Sequence, residues 1–190
     1  MSIDYAVEMI MAKLELQPPD EHWIQALSDG SHVLIRPLHA EDREREFAFI
    51  NGLSSNSRRF RFLGTITEAS STLLDQLMDV DHKRRMAYVA LLHQGGQLKE
   101  IGVSRYAALD SGSRCECAVV VADAWQRRGL GLLLMEHLIK AARRNHFKTM
   151  SSLDLTDNHA MQHLAKKLGF VRFHKPAEFT DVIHELDLQA

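Results

Sequence analysis

The stretch Val119-Val120-Val121-Ala122-Asp123-Ala124-Trp125-Gln126-Arg127-Arg128-Gly129-Leu130-Gly131-Leu132 decides how this chain is read. An apolar run of strand character enters a tight turn holding two arginines and two glycines. A helical pattern from about Gly129 to His146 begins at once. The first turn of a helix exposes backbone N–H groups that no intrahelical carbonyl can reach, and the helix dipole adds about half a positive charge there. Glycine lets such a backbone approach a phosphate that a Cβ would hold off. The segment therefore predicts an anion cradle, with backbone groups making the specific contacts and Arg127 and Arg128 adding charge at the rim. A Gly-x-Gly pair alone says little, because at about 7% glycine one is expected about once by chance in a chain this long. Gln126 three residues before Gly129, the strand before it and the helix after it give the pair its weight. A plain capped turn is the alternative for the segment in isolation. Neither the Gly-x-Gly-x-x-Gly dinucleotide fingerprint nor the P-loop pattern is present.

Downstream of the cradle, Thr149 to Leu155 reads as a strand and Asn158 to Leu168 as a helix ended by Gly169. Val171 to Phe173 and Asp181 to Leu188 read as further strands. Upstream, Met86 to Leu92 and Ile101 to Leu109 flank Gly95-Gly96, a hairpin signal, and Ser111-Gly112-Ser113 supplies the next turn into Cys115 to Val121. His32 to Leu38 predicts a strand. Ala40 to Leu53 predicts a helix with Phe47 and Ile50 on one face, and Glu68 to Val80 another. Ile3, Val7, Ile10 and Leu14 have helical spacing, ended by Pro18-Pro19. Asp20 and Glu21 suit the start of a second short helix closed by Gly30. The expected organisation is an N-terminal helical extension over 1–30 and a catalytic domain over 31–190. The fold class is α+β, a mixed and mostly antiparallel sheet flanked by helices.

The 190 residues suit one domain, and 23 basic against 25 acidic residues imply no strong field. Nucleic acid is therefore not an expected partner. Neither is a membrane, since no apolar run approaches the about 20 residues of a span. The N-terminus lacks the pattern of a secretory signal, and a cytoplasmic location is expected. Cys115 and Cys117, one residue apart, read as buried reduced thiols on one strand face, with no second pair for a zinc site.

Gln126-x-x-Gly129-x-Gly131 after Val119-Val120-Val121 resembles the pyrophosphate loop of the GNAT acyl-CoA N-acyltransferases. Asn158 through Leu168-Gly169-Phe170 is similar to that family's second motif. The resemblance covers about His32 to Leu188. Ser57 to Phe62, Ile101 to Tyr106 and Glu116 to Val121 look like the catalytic domain of bacterial protein-lysine acetyltransferases. It implies a splayed sheet in which the strand ending near Val121 and the strand Thr149 to Leu155 part to admit the pantetheine arm. Val119, Val120, Val121, Gln126, Arg127, Arg128, Gly129, Leu130, Gly131, Leu132 and Asn158 would then bind the cofactor. It further implies acetyl-CoA as donor, without a metal. The partners are acetyl-CoA or CoA, an amine acceptor such as a protein lysine or a small molecule, and a second copy of the chain as a candidate homodimer. A catalytically silent acyl-CoA sensor is the alternative.

A lysine amine of pKa about 10.4 is almost wholly protonated at pH 7, so direct attack benefits from a base. Glu116 is the candidate, on the expectation that burial lifts its carboxyl into the useful range; an outward-facing polar residue of a half-exposed strand is the alternative. Many family members place a tyrosine acid seven residues after the asparagine, where this chain has Ala165; Tyr106 is the substitute considered. His159 and His163 have zinc-pair spacing but lack the adjacent glutamate of the metalloprotease motif, and are not taken as ligands.

Overall fold

The computed structural model describes residues 20–64, 68–109, 112–173 and 181–190. Eight strands form one sheet: β1 (Trp23–Ala26), β2 (His32–Pro37), β3 (Arg85–Gln94), β4 (Gln97–Ala108), β5 (Arg114–Val121), β6 (Thr149–Leu155), β7 (Val171–Phe173) and β8 (Asp181–Asp187). Their spatial order is β1-β2-β3-β4-β5-β6-β8-β7, and every neighbouring pair is antiparallel except β5 with β6. The helices are α1 (Arg43–Gly52, entered from a 3-10 turn at Ala40–Asp42), α2 (Ser55–Phe62), α3 (Ser71–Met78), α4 (Leu130–Arg144) and α5 (His159–Lys167). This is the mixed α+β sheet that the sequence predicts.

Strand alternation divides the core in two. Cys115, Cys117, Tyr106 and Met150 face α4 and α5, packing with Leu130, Leu134, Leu138 and Ala165. Val103 and Val120 face the opposite side and pack with Phe49, Ile50, Leu53 and Leu77 of α1 to α3. In α1 the buried pair is Phe49 and Ile50, while Phe47 is exposed, contrary to the face predicted. The Gly95-Gly96 hairpin has Gln94 opposite Gln97 and both glycines at positive φ, the two-residue turn that matches strand twist. Gly102 of β4 serves packing. A Cβ there would lie 3.1 Å from Leu134 Cδ1, so its absence lets α4 settle on the sheet.

The predicted helix at Ile3–Leu14 lies outside the described residues. The short helix predicted over 20–30 is corrected to strand β1, paired with β2 from Trp23↔Ile35 to Ala26↔His32. The Trp23 ring stacks on His137 of α4 at 3.9 Å between centroids, His137 Nε2 meets Gln25 Oε1 at 2.9 Å, and Tyr88 donates to Glu21. Tertiary packing on α4 thus overrides the helix-start signal of Asp20-Glu21.

Beneath α1, Glu46 is 1% and Glu100 3% exposed. Arg105 Nη2 donates to Glu46 Oε1 at 2.6 Å and Nη1 to the Leu77 carbonyl at 2.8 Å, tying α1 and α3 to β4. Among the described residues Glu46 Oε2 and both Glu100 oxygens lack a hydrogen-bond partner. Burial first, then the adjacent Glu46 carboxylate, push the Glu100 carboxyl well above its ordinary range. A raised folded-state value binds the proton more tightly in the native protein. The stabilisation is therefore complete below the unfolded pKa of about 4.3 and is lost as pH rises through the folded value. Urea unfolding followed from pH 4 upward should show this loss in the wild type and its removal in Glu100→Met; parallel profiles would contradict it.

Candidate acyl-transfer cleft

The site begins where β5 and β6 separate. Their parallel pairing covers only Arg114↔Thr149, Cys115↔Met150 and Glu116↔Ser151. Beyond it, Cys117–Val121 continues along β4 while 152–155 continues along β8, leaving a fork between the two halves of the sheet. The Ala122 N–H donates to the Ile101 carbonyl at 2.9 Å. Backbone groups alternate along a strand, so those of Val120 point to β4, and those of Val119 and Val121 point into the fork. Val120 therefore offers its backbone to β4 and not to a ligand in the fork.

At the open end stands the turn into α4. Gly129 is the N-cap at φ 87°, a conformation natural to glycine, and Leu132 and Leu133 donate back to its carbonyl. Among the described residues the N–H groups from Arg127 to Gly131 have no protein acceptor. They form a cluster of unpaired donors at a helix start, an arrangement suited to an anion. A Cβ on Gly131 would face Leu164 Cδ2 at 3.5 Å and Val121 Cγ2 at 3.9 Å, which places Gly131 between the end of β5 and α5. Arg127 is exposed. Arg128 does not stand free at the rim. It pairs with Asp29, donates to the Ala124 carbonyl at 2.8 Å and lies 4.6 Å over the Trp125 ring, strapping the β1–β2 turn to the cradle.

Gln126 uses its side-chain amide within the protein, donating to the Val121 carbonyl at 3.1 Å and to Ser57 Oγ at 3.2 Å. Asn158, on the other side of the fork, is the N-cap of α5, its Oδ1 accepting from the Met161 N–H at 3.1 Å. His159 and His163 are exposed on α5.

Glu116 is the last β5 residue paired across the fork. Strand alternation sends its side chain to the α1–α3 face, opposite the buried Cys115 and Cys117. It is exposed, so the burial expected for it is corrected. Its neighbour is Arg61 of α2, whose guanidinium is pulled down to about 10 by burial and then by the Arg105 cation, against Glu46 and Glu116. Burial pushes the Cys115 thiol up to about 12 and Cys117 well above its ordinary value, so neither is an available nucleophile. Tyr106 is corrected as an acid. Its hydroxyl donates to the Lys83 carbonyl and accepts from Asn145 at 2.6 Å. Asn145 caps the far end of α4, about 22 Å from the cradle for a helix of 15 residues. Ala165 is fully buried and supplies no proton.

α2 carries no apolar stripe in the sequence that marks it as a helix, yet it contributes to the site. Ser54 caps it, and the Asp123 carboxylate accepts from the Ser54 N–H at 2.9 Å and from both the Ser54 and Ser57 hydroxyls at 2.7 Å. Partial burial opposes the Asp123 charge, but these bonds hold its carboxyl below the ordinary value. Arg59 reaches across to Asp157, before α5, at 2.8 Å. The signal available in sequence was Ser54-Ser55-Asn56-Ser57, a run of helix-capping residues.

Residues 55–170, more than half of the 190, match the Acetyltransferase (GNAT) family. The chain is 56% identical over 168 residues to "Acetyltransferase PA5475" of Pseudomonas aeruginosa, spanning 88% of this chain and 90% of that protein. It superposes on the GNAT domain of S. lividans PAT with a TM-score of 0.81 at 25% identity, over 90% of this chain and 99% of that domain. Its fold is also like that of yncA from Salmonella typhimurium, a structure solved with its cofactor acetyl-CoA (TM-score 0.66, 21% identity, 83% of this chain and 95% of that one). Together with a sheet that forks beside a glycine-lined helix start, these matches establish that the chain belongs to the GNAT acetyltransferase family and is an acyl-CoA N-acyltransferase.

Proposed function

We propose that the protein transfers the acetyl group of acetyl-CoA to a primary amine, the side chain of a protein lysine, by direct attack within a ternary complex. The observation that carries this is the placement of Glu116 at the apex of the fork whose open end holds the anion cradle. The pyrophosphate binds the N–H groups of Arg128 to Gly131; that of Leu132, expected to join them, is already given to the Gly129 carbonyl at 3.0 Å. The pantetheine arm lies along the fork-facing groups of Val119 and Val121, as an added strand would. Its thioester then ends near Glu116. The amine approaches from the α1–α3 face, where Glu116 is accessible and takes up its proton directly or through a water. The amine nitrogen bonds to the acyl carbon, the carbon–sulfur bond breaks, and CoA leaves as a thiolate, a tolerable leaving group at a thiol pKa of about 8.5. The raised, buried Cys115 and Cys117 favour direct attack over an acyl-cysteine intermediate.

Calorimetric titration with acetyl-CoA, CoA and pantetheine tests the binding mode. Acetyl-CoA and CoA should bind and pantetheine, lacking phosphates, should bind at least about tenfold more weakly; equal affinities would contradict the cradle. The acceptor is tested by incubating protein and polyamine panels with acetyl-CoA and reading mass shifts. A shift confined to polyamines would replace the lysine assignment with a small amine.

The catalytic domain, in this reading, includes β1. A truncation beginning at Gly30 removes Glu21, Trp23 and Gln25, with their contacts to Tyr88 and His137. It should lose about 2 kcal/mol or more of stability by urea unfolding relative to the full chain. Equal stability of the two would return the boundary to residue 30.

A further inference from the structure

We propose that Asp123 is a positioning residue that couples occupancy of the fork to α2, the helix beside Glu116 on the acceptor side. This rests on the acyl-CoA reading above. A chain of hydrogen bonds runs from the fork to the start of α2, and each proton in it has one acceptor. The fork-facing Val121 carbonyl accepts from one Gln126 Nε2 proton at 3.1 Å, and Ser57 Oγ accepts from the other at 3.2 Å. Ser57 Oγ passes its own proton to Asp123 Oδ1 at 2.7 Å. The same oxygen accepts from Ser54 Oγ at 2.7 Å, Asp123 Oδ2 accepts from the Ser54 N–H at 2.9 Å, and Ser54 Oγ in turn accepts from the Ser57 N–H at 3.2 Å. Asp123 therefore places a carboxylate at the N-terminus of α2, where the helix dipole favours it. It also opens the 3-10 turn Asp123–Trp125 that leads into the cradle.

A second polar link of α2 is Arg59 with Asp157, on the far side of the fork, at 2.8 Å. α2 thus spans the two separated halves of the sheet, held to one by Asp123 and to the other by Asp157. An extended ligand that pairs with Val121 acts on the carbonyl where the chain of bonds begins, and a ligand on the cradle fixes the turn that Asp123 starts. Both effects meet at Asp123. Binding of acyl-CoA stiffens α2 through it and holds Arg61 beside Glu116 before an acceptor arrives.

Hydrogen exchange with and without saturating acetyl-CoA tests this in the wild type, Asp123→Ala and Ser57→Ala, with occupancy and thermal unfolding measured on the same samples. The second variant breaks the chain without removing a charge and carries the test if Asp123→Ala does not fold. Acetyl-CoA should slow exchange by about tenfold in wild-type residues 55–62. The variants should lose that slowing while still unfolding in one cooperative thermal transition above the temperature of the exchange experiment, and peptides over 129–135 should be protected in all three proteins. Equal slowing of 55–62 in wild type and variants, or none in a wild type that binds, overturns the coupling. Loss of acetyl-CoA binding in a folded Ser57→Ala also overturns it, since the chain of bonds would then be part of binding itself. A wild type that does not bind acetyl-CoA overturns the acyl-CoA reading as well, and the binding measurement tells these cases apart.

Discussion

Replacing Gly131 by valine is expected to weaken acetyl-CoA binding by about 10- to 100-fold, or about 1.4–2.8 kcal/mol, without loss of the fold. The position lies between the end of β5 and Leu164 of α5, and a Cβ there meets only ordinary van der Waals contacts. Gly131 is within α4 and not at positive φ, and valine is a better helix former than glycine. Thermal stability should therefore hold or rise while affinity falls. In the proposed binding mode the added methyls occupy the space through which the pyrophosphate reaches the N–H groups of the first turn. Gly131→Ala should give a smaller loss in the same direction. Unchanged affinity of the valine variant in a calorimetric titration would remove the cradle from the account.

Glu116→Gln is expected to lower turnover by about 10²- to 10⁴-fold near neutral pH and to leave acetyl-CoA affinity nearly intact. Glu116 stands at the closed end of the fork on the α1–α3 face; in the proposed mode the amine enters there and the phosphates lie away from it, so its charge bears on the attacking amine. The deficit should shrink as pH approaches the amine pKa of about 10.4, because a growing share of the acceptor is then neutral without help. Steady-state rates with one fixed amine from pH 7 to 10 check both statements. Wild-type turnover at pH 7, or a pH-independent deficit, would leave Glu116 as a strand residue beside Arg61.

How much of this was legible in the sequence follows from what each segment had to reveal. Val119 to Leu132, Thr149 to Leu155 and Gly95-Gly96 announce themselves because an apolar strand, a glycine turn and a helical period are local properties. Asp20-Glu21 after Pro18-Pro19 is a helix-start pattern and predicts helix where β1 forms. What makes Trp23–Ala26 a strand is its partner β2 and the His137 ring, 114 positions beyond Trp23. α2 was not assigned because Arg58, Arg59 and Arg61 interrupt any apolar stripe, leaving Phe60 and Phe62 two apart. Strand alternation assigns Glu116 a face but not its burial, which depends on what other elements cover that face. Arg128 read as rim charge because its partner Asp29 is far away in the chain. The Asp123–Ser57 link was hidden for the same reason.

The most direct test of acyl transfer by this cleft follows free CoA thiol and acetylated amine together, with wild-type protein, acetyl-CoA and the acceptor found by mass shift. The account predicts many turnovers per protein molecule and one acetylated amine for each thiol released. Saturable acetyl-CoA binding with no thiol release above the protein-free rate would contradict it and identify a silent acyl-CoA-binding module.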